Sequence, residues 1–158
     1  RDLSNYDGYK LDWYIGWFLD INFSRYSKIN EYINNSDDYI GSIGNSFYYY
    51  NGYLVIEIYA LTSLCDDFEN IVISTANGIS DDDRELFELV KKNSLTSLSV
   101  RKDSISNYVR PIEDNYITFD YAEVDDIDVI KNFSYDDYKK VINSIDFSYY
   151  SVFYRKKK

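Results

Sequence analysis

The sequence predicts an α+β domain, with a mostly antiparallel sheet and two to four helices packed on it. Asn51-Gly52 sits between two runs rich in β-branched and aromatic residues, a hairpin signature. Two later segments each follow a serine and carry apolar residues at helical spacing. Strands and helices alternate irregularly, and several strands can be joined by tight turns, which favours an antiparallel sheet. The 158 residues contain no linker rich in Gly or Pro and no internal repeat, so residues 1–158 are expected to form a single domain.

Residues 9–21 hold both tryptophans. Trp13, Trp17 and Ile21 share a helical face at i, i+4, i+8, whereas the same stretch alternates poorly as a strand. Core packing is the first expectation for these tryptophans and a binding hot spot the second. Residues 27–33 read as a short helix stopped by Asn34, Asn35 and Ser36.

In the hairpin at 47–64, Leu54, Ile56, Ile58 and Ala60 are expected to face the core. Tyr53, Val55, Glu57 and Tyr59 form the wetter face. Before the turn, Phe47, Tyr48, Tyr49 and Tyr50 put aromatics on both faces.

Residues 71–75 read as a short buried strand, and Asn77-Gly78 as a turn. Ser80 then caps a helix, with Asp83 at the capping-box position and Asp81, Asp82 and Asp83 in the first turn, where the helix dipole favours anions. Leu86, Leu89 and Val90 form its apolar stripe with Phe87 on the flank, and Lys91 and Lys92 close it.

Residues 95–101 read as a strand, Pro111 as loop or edge, and residues 116–124 as an alternating strand. Ser134 caps a second helix with Tyr135, Tyr138, Val141, Ile142 and Ile145 on one face. A strand at 147–154 and the basic tail 155–158 end the chain.

Composition narrows the chemistry. The chain has no histidine and one cysteine, against 19 tyrosines and a net charge of −10. Without histidine no nucleophile–imidazole pair can form, and Asp66 and Asp67 beside Cys65 would raise its thiol pKa, so a structural thiol is expected. Zinc needs clustered Cys or His.

Asp81, Asp83 and Glu85 have the opening spacing of a calcium loop. Leu86 and Lys92 stand where that loop needs Gly and Glu, so an acidic first turn accounts for them. Asp125, Asp126 and Asp128 could hold magnesium only weakly. Phosphate-binding glycine motifs are missing, and no cofactor is expected. Paired carboxylates for glycoside hydrolysis remain formally possible in any chain with 27 acids. The expectation is nevertheless a protein that is not an enzyme.

A net negative charge repels phosphates, which disfavours direct nucleic-acid binding. No apolar run approaches the roughly 18 residues of a membrane span. One cysteine allows no internal disulfide, which favours a reducing cytoplasm. Because the chain starts at Arg1 and contains no Met, residues are expected to be missing upstream. Sequons at Asn22, Asn34 and Asn132 are expected from composition alone. The Asn, Ile, Lys, Tyr and Asp bias points to an AT-rich genome in a low-GC bacterium, a phage or a large DNA virus.

What remains is a protein-binding surface. Tyr and Trp provide rigid contact area at low entropic cost, and interspersed carboxylates steer a basic partner. Residues 116–138 combine both. The acids are Asp120, Glu123, Asp125, Asp126, Asp128, Asp136 and Asp137; the phenols include Tyr116, Tyr121, Tyr135 and Tyr138. The alternative for this segment is an ordinary solvated acidic face.

A small, acidic, tyrosine-rich, histidine-free α+β chain resembles the immunity proteins of bacterial toxin–immunity pairs, including those of contact-dependent inhibition. The resemblance is one of character along the whole chain and transfers no individual residue. It implies an inhibitor that blocks a basic toxin, such as a nuclease, by occlusion or charge neutralisation. The alternatives are a phage or viral counter-defence protein that mimics DNA charge, and a structural or adaptor domain.

Overall fold

A computed structural model describes residues 5–24, 27, 29, 40–62, 65–77, 83–101, 105–120 and 126–153. Among them are a two-stranded antiparallel sheet and six helices: α1 (Asn5–Phe23), β1 (Ile40–Tyr50), β2 (Tyr53–Thr62), α2 (Cys65–Ala76), α3 (Arg84–Arg101), α4 (Ile105–Phe119), α5 (Asp126–Lys131) and α6 (Tyr135–Asn143). The α+β class holds. The sheet is smaller than expected and the helices exceed the expected two to four.

Helix α1 is the hub, packing against β1, α3, α4 and α6. Tyr14, Ile15, Trp17, Phe18, Leu19, Ile21 and Phe23 are all buried, so the second half of α1 is apolar on nearly every side, the pattern of a helix enclosed by others. Trp13 and Trp17 lie along one face as the spacing required, their ring centroids 5.9 Å apart and their planes tilted at 59°.

No basic residue closes the last turn of α1. Polar side chains satisfy carbonyls there instead. Asn22 Nδ2 donates to Phe18 O, Ser24 Oγ to Asp20 O, and Asn45 Nδ2 from β1 to Phe23 O. The buried Asn22 side chain leaves no room for a glycan at that sequon.

The hairpin forms as predicted. Asn51 (φ 49°) and Gly52 (φ 80°) adopt the paired left-handed conformations of a tight turn whose twist matches the flanking strands. Counting outward from it, Tyr50 pairs with Tyr53, Tyr48 with Val55, Ser46 with Glu57 and Gly44 with Tyr59. Phe47, Tyr49, Leu54, Ile56 and Ile58 consequently turn inward onto the core.

Three expected strands are helical. Residues 71–75 lie inside α2, because Phe68, Ile71, Val72 and Ala76 recur at helical spacing and pack on the core, overriding the β preference of Ile and Val. Residues 95–101 continue α3. Thr96 and Ser99 turn their hydroxyls back on the helix, Thr96 Oγ1 to Lys92 O and Ser99 Oγ to Leu95 O, and no Gly or Pro interrupts it.

Residues 116–119 are the last turn of α4, ended by Asp120 in the left-handed conformation (φ 50°), whose N–H donates to Tyr116 O. Residues 121–124 of that expected strand lie outside the described residues. Pro111 sits within α4 and not in a loop, and it is half-buried together with Ile112.

Residues 147–153 form no strand. Phe147 stacks on Phe18 at 5.4 Å, and residues 148–153 are exposed, while residue 154 of that expected strand lies outside the described residues. In α3 the stripe is rotated from the expected one, with Phe87 fully buried and Leu89 53% exposed. Lys91 does not close α3. Its ammonium donates to Lys131 O and Phe133 O (2.8 and 2.6 Å), capping the end of α5.

The Ser134 cap on α6 is present, its Oγ accepting from Asp137 N at 3.2 Å. The Ser80 cap, most of the 27–33 helix, the Cys65 side chain and the tail 155–158 lie outside the described residues.

Candidate functional site

The residues predicted to meet a partner separate into three groups. Tyr135 and Tyr138 are core residues. They pack around Phe87 at 5.6 and 5.1 Å, and Tyr138 also meets Tyr14 at 5.6 Å. Burial, with Asp83 and Tyr135 nearby, drives the Tyr138 phenol pKa upward, so it stays protonated. Neither ring is presented to a docking protein. Each falls on the apolar stripe of α6 next to α1 and α3, and an amphipathic helix hides that side.

Asp128, Asp136 and Asp137 are paired internally. Asp137 meets Lys10 at 2.9 Å and accepts from the Tyr14 hydroxyl at 3.2 Å, tying α6 to α1. Asp136 meets Arg84 at 2.8 Å, and the same guanidinium lies 4.7 Å from the Tyr135 ring centroid, tying α6 to α3. Asp128 pairs with Lys131 in its own helix at 2.9 Å.

Asp120 is exposed at the end of α4. The remaining acids, Glu123 and Asp125, lie outside the described residues, as does the side chain of Asp126 at the start of α5.

A cluster of exposed aromatics lies elsewhere, on the outward face of the ribbon. Tyr48, Tyr50, Tyr53, Tyr59 and Leu61 are exposed there, from 45% at Tyr48 to 74% at Tyr53. One charged residue, Glu57, occurs between 39 and 65.

Both Glu57 oxygens are held. Ser46 Oγ donates to Oε2 at 3.0 Å across the strand pair, and the Tyr48 hydroxyl donates to Oε1 at 3.4 Å along the diagonal. The carboxylate in turn holds the Tyr48 phenol pKa above its usual range. Among the described residues no cation pairs with Glu57. Opposite Gly44, the far end of the Tyr59 ring fills the space a side chain at 44 would occupy.

The alternation along β2 places Tyr53, Glu57 and Tyr59 on the wetter face, but not their partners on β1. The signal was the register. Once the turn is set at Asn51-Gly52, Ser46 must oppose Glu57 and Gly44 must oppose Tyr59.

On the inward face Asp12 of α1 confronts the Tyr49 hydroxyl. Burial raises the Asp12 carboxyl to about 6, with Tyr49 pulling it back down, and burial beside Asp12 raises the Tyr49 phenol. The Tyr49 hydroxyl closes no hydrogen bond of full geometry.

A separate half-open cleft of about 370 Å³ lies between α1 and α3. Trp13, Ile21, Leu86 and Leu98 line it together with Asp20, Asn93 and Arg101. Burial raises the Asp20 carboxyl there. No group of three Asp, Glu or Cys among the described residues converges as a metal site, and no helix among them is long and apolar enough to cross a membrane.

Compared with protein-family models, curated proteins and solved structures, the chain matches none.

Proposed function

We propose that this chain is a non-enzymatic inhibitor that binds a basic protein, in the manner of an immunity protein neutralising a toxin such as a nuclease. The observation that carries the proposal is the outward ribbon face, where exposed tyrosines surround the Glu57 carboxylate, which meets no cation among the described residues, on a chain of net charge −10. Contiguous exposed aromatics mark interaction surfaces, and tyrosine supplies much of the binding energy at protein interfaces. The overall charge attracts a basic partner from a distance, and the acids of residues 120–128 add to that attraction.

Mimicry of DNA is less well supported. It needs a free row of carboxylates, and Asp128, Asp136 and Asp137 each meet a cation of the chain itself.

The test is capture of partners from a lysate of the source organism at low and moderate salt, followed by assay of the captured protein. A basic protein whose activity falls when one equivalent of the chain is added is the expected result. Recovery of the chain alone would overturn the proposal.

A further inference from the structure

We infer that the outward ribbon face is built to seat an arginine side chain of the partner, with Glu57 as its anchor and Tyr48 and Tyr59 as flanking platforms. This rests on the basic-partner proposal above and names the chemistry of the contact.

Glu57 is preorganised. Ser46 and Tyr48 each occupy one lone pair of a different oxygen, which fixes the carboxylate and leaves further lone pairs pointing to solvent. The ribbon beneath is a paired strand and not a loop, so the position is rigid. Tyr59 is two residues along β2 on the same face, and the far end of its ring lies against Gly44. Tyr48 lies diagonally on the other side, on β1. A planar guanidinium can donate to the carboxylate while lying against a phenol face, which an ammonium does less well.

Charge selects the occupant. In a two-fold dimer through this face each Glu57 would approach its own copy, between chains that each carry −10. An anionic ligand meets the same repulsion. An arginine-bearing segment meets none.

The probe is a blocked tetra-arginine peptide titrated into the ¹⁵N-labelled chain at physiological ionic strength, with a tetra-citrulline peptide as the uncharged counterpart. Saturable shift changes at Ser46, Tyr48, Val55, Glu57 and Tyr59 are expected with arginine and not with citrulline. Glu57→Gln, exposed and tolerant of change, is expected to weaken binding about tenfold. Tyr48→Phe, which frees one carboxylate oxygen from its positioning contact, is expected to weaken it a few-fold.

Equal binding by Glu57→Gln, with loss in the Asp125→Asn/Asp126→Asn/Asp128→Asn variant, overturns the Glu57 anchor and leaves the basic-partner proposal standing. Absence of any shift change overturns both. Concentration-dependent shifts at Glu57 without peptide overturn the anchor in favour of a second copy of the chain.

Discussion

The Trp17 indole donates its N–H to the Ser94 hydroxyl at 2.9 Å, joining the hub helix α1 to the middle of α3. The Trp17 ring is 1% exposed and packs edge-on against Phe87 and Phe133 at 5.3 and 5.9 Å. Ser94→Ala leaves this N–H without its partner in an apolar setting. A loss of about 1–3 kcal/mol is expected by urea unfolding, with Ser94→Thr retaining most of the stability.

Two glycines respond oppositely to alanine. Gly16 lies inside α1, and a methyl group there meets nothing within 4 Å. Gly16→Ala is expected to stabilise by about 0.5–1 kcal/mol, because alanine loses less backbone entropy in a helix. At Gly44 the added methyl runs into the Tyr59 ring. Because the atoms it strikes are the far end of the exposed Tyr59 side chain, Gly44→Ala is expected to turn the ring aside at a small cost, under about 1 kcal/mol. A double-mutant cycle with Tyr59→Ala checks the cause. If the ring is what the methyl strikes, the two changes will cost less together than their sum.

Asp12 makes stability depend on pH. Its carboxyl is raised from 3.8 to about 6 in the folded protein, mainly by burial. Between those values the folded state binds more protons than the unfolded state, so stability falls as pH rises through the interval. The contribution is intact below pH 3.8 and lost above about 6. Asp12→Asn is expected to remove this slope. Its stability difference from the parent will grow from pH 4 to pH 6.5 and reach at most about 3 kcal/mol. Equal pH profiles of the two proteins in denaturant titrations would refute it.

Lys91 crosses from α3 to cap α5. Its two carbonyl acceptors at the end of that helix are left unpaired in Lys91→Met, which keeps the stem's packing. A cost of about 1–3 kcal/mol is expected from thermal unfolding, with hydrogen exchange accelerated first at 131–134. Uniform acceleration along the chain would argue against a local cap.

The acids of residues 125–128 are expected to act on rate. Once a basic partner is in hand, Asp125→Asn/Asp126→Asn/Asp128→Asn should slow its association and flatten the salt dependence, with little change in dissociation. Stopped-flow association at several ionic strengths checks this, and unchanged kinetics would exclude a steering role.

Local chemistry made part of the fold readable from the chain. The Asn51-Gly52 turn, the inward set Leu54, Ile56 and Ile58, the Trp13–Trp17 helix and the Ser134 cap each depend on neighbours within a few residues. The docking face was half legible, because its residues alternate visibly along β2 while their partners on β1 emerge only when the register is counted.

What the sequence by itself determined is the α+β class, the hairpin and its register, the helical stripes of α1 and α6, and the excess of acid and phenol with no histidine. Only the tertiary structure decided that residues 71–75, 95–101 and 116–119 are helical. Short apolar runs fit either period, and their packing partners settle which one forms. It also decided which tyrosines are core and which are surface. Tyr138 and Tyr59 are the same side chain, each within two residues of an acid. One lies beneath α1 and α3 and the other on the open side of a two-stranded ribbon, a difference set by which elements meet across long stretches of chain.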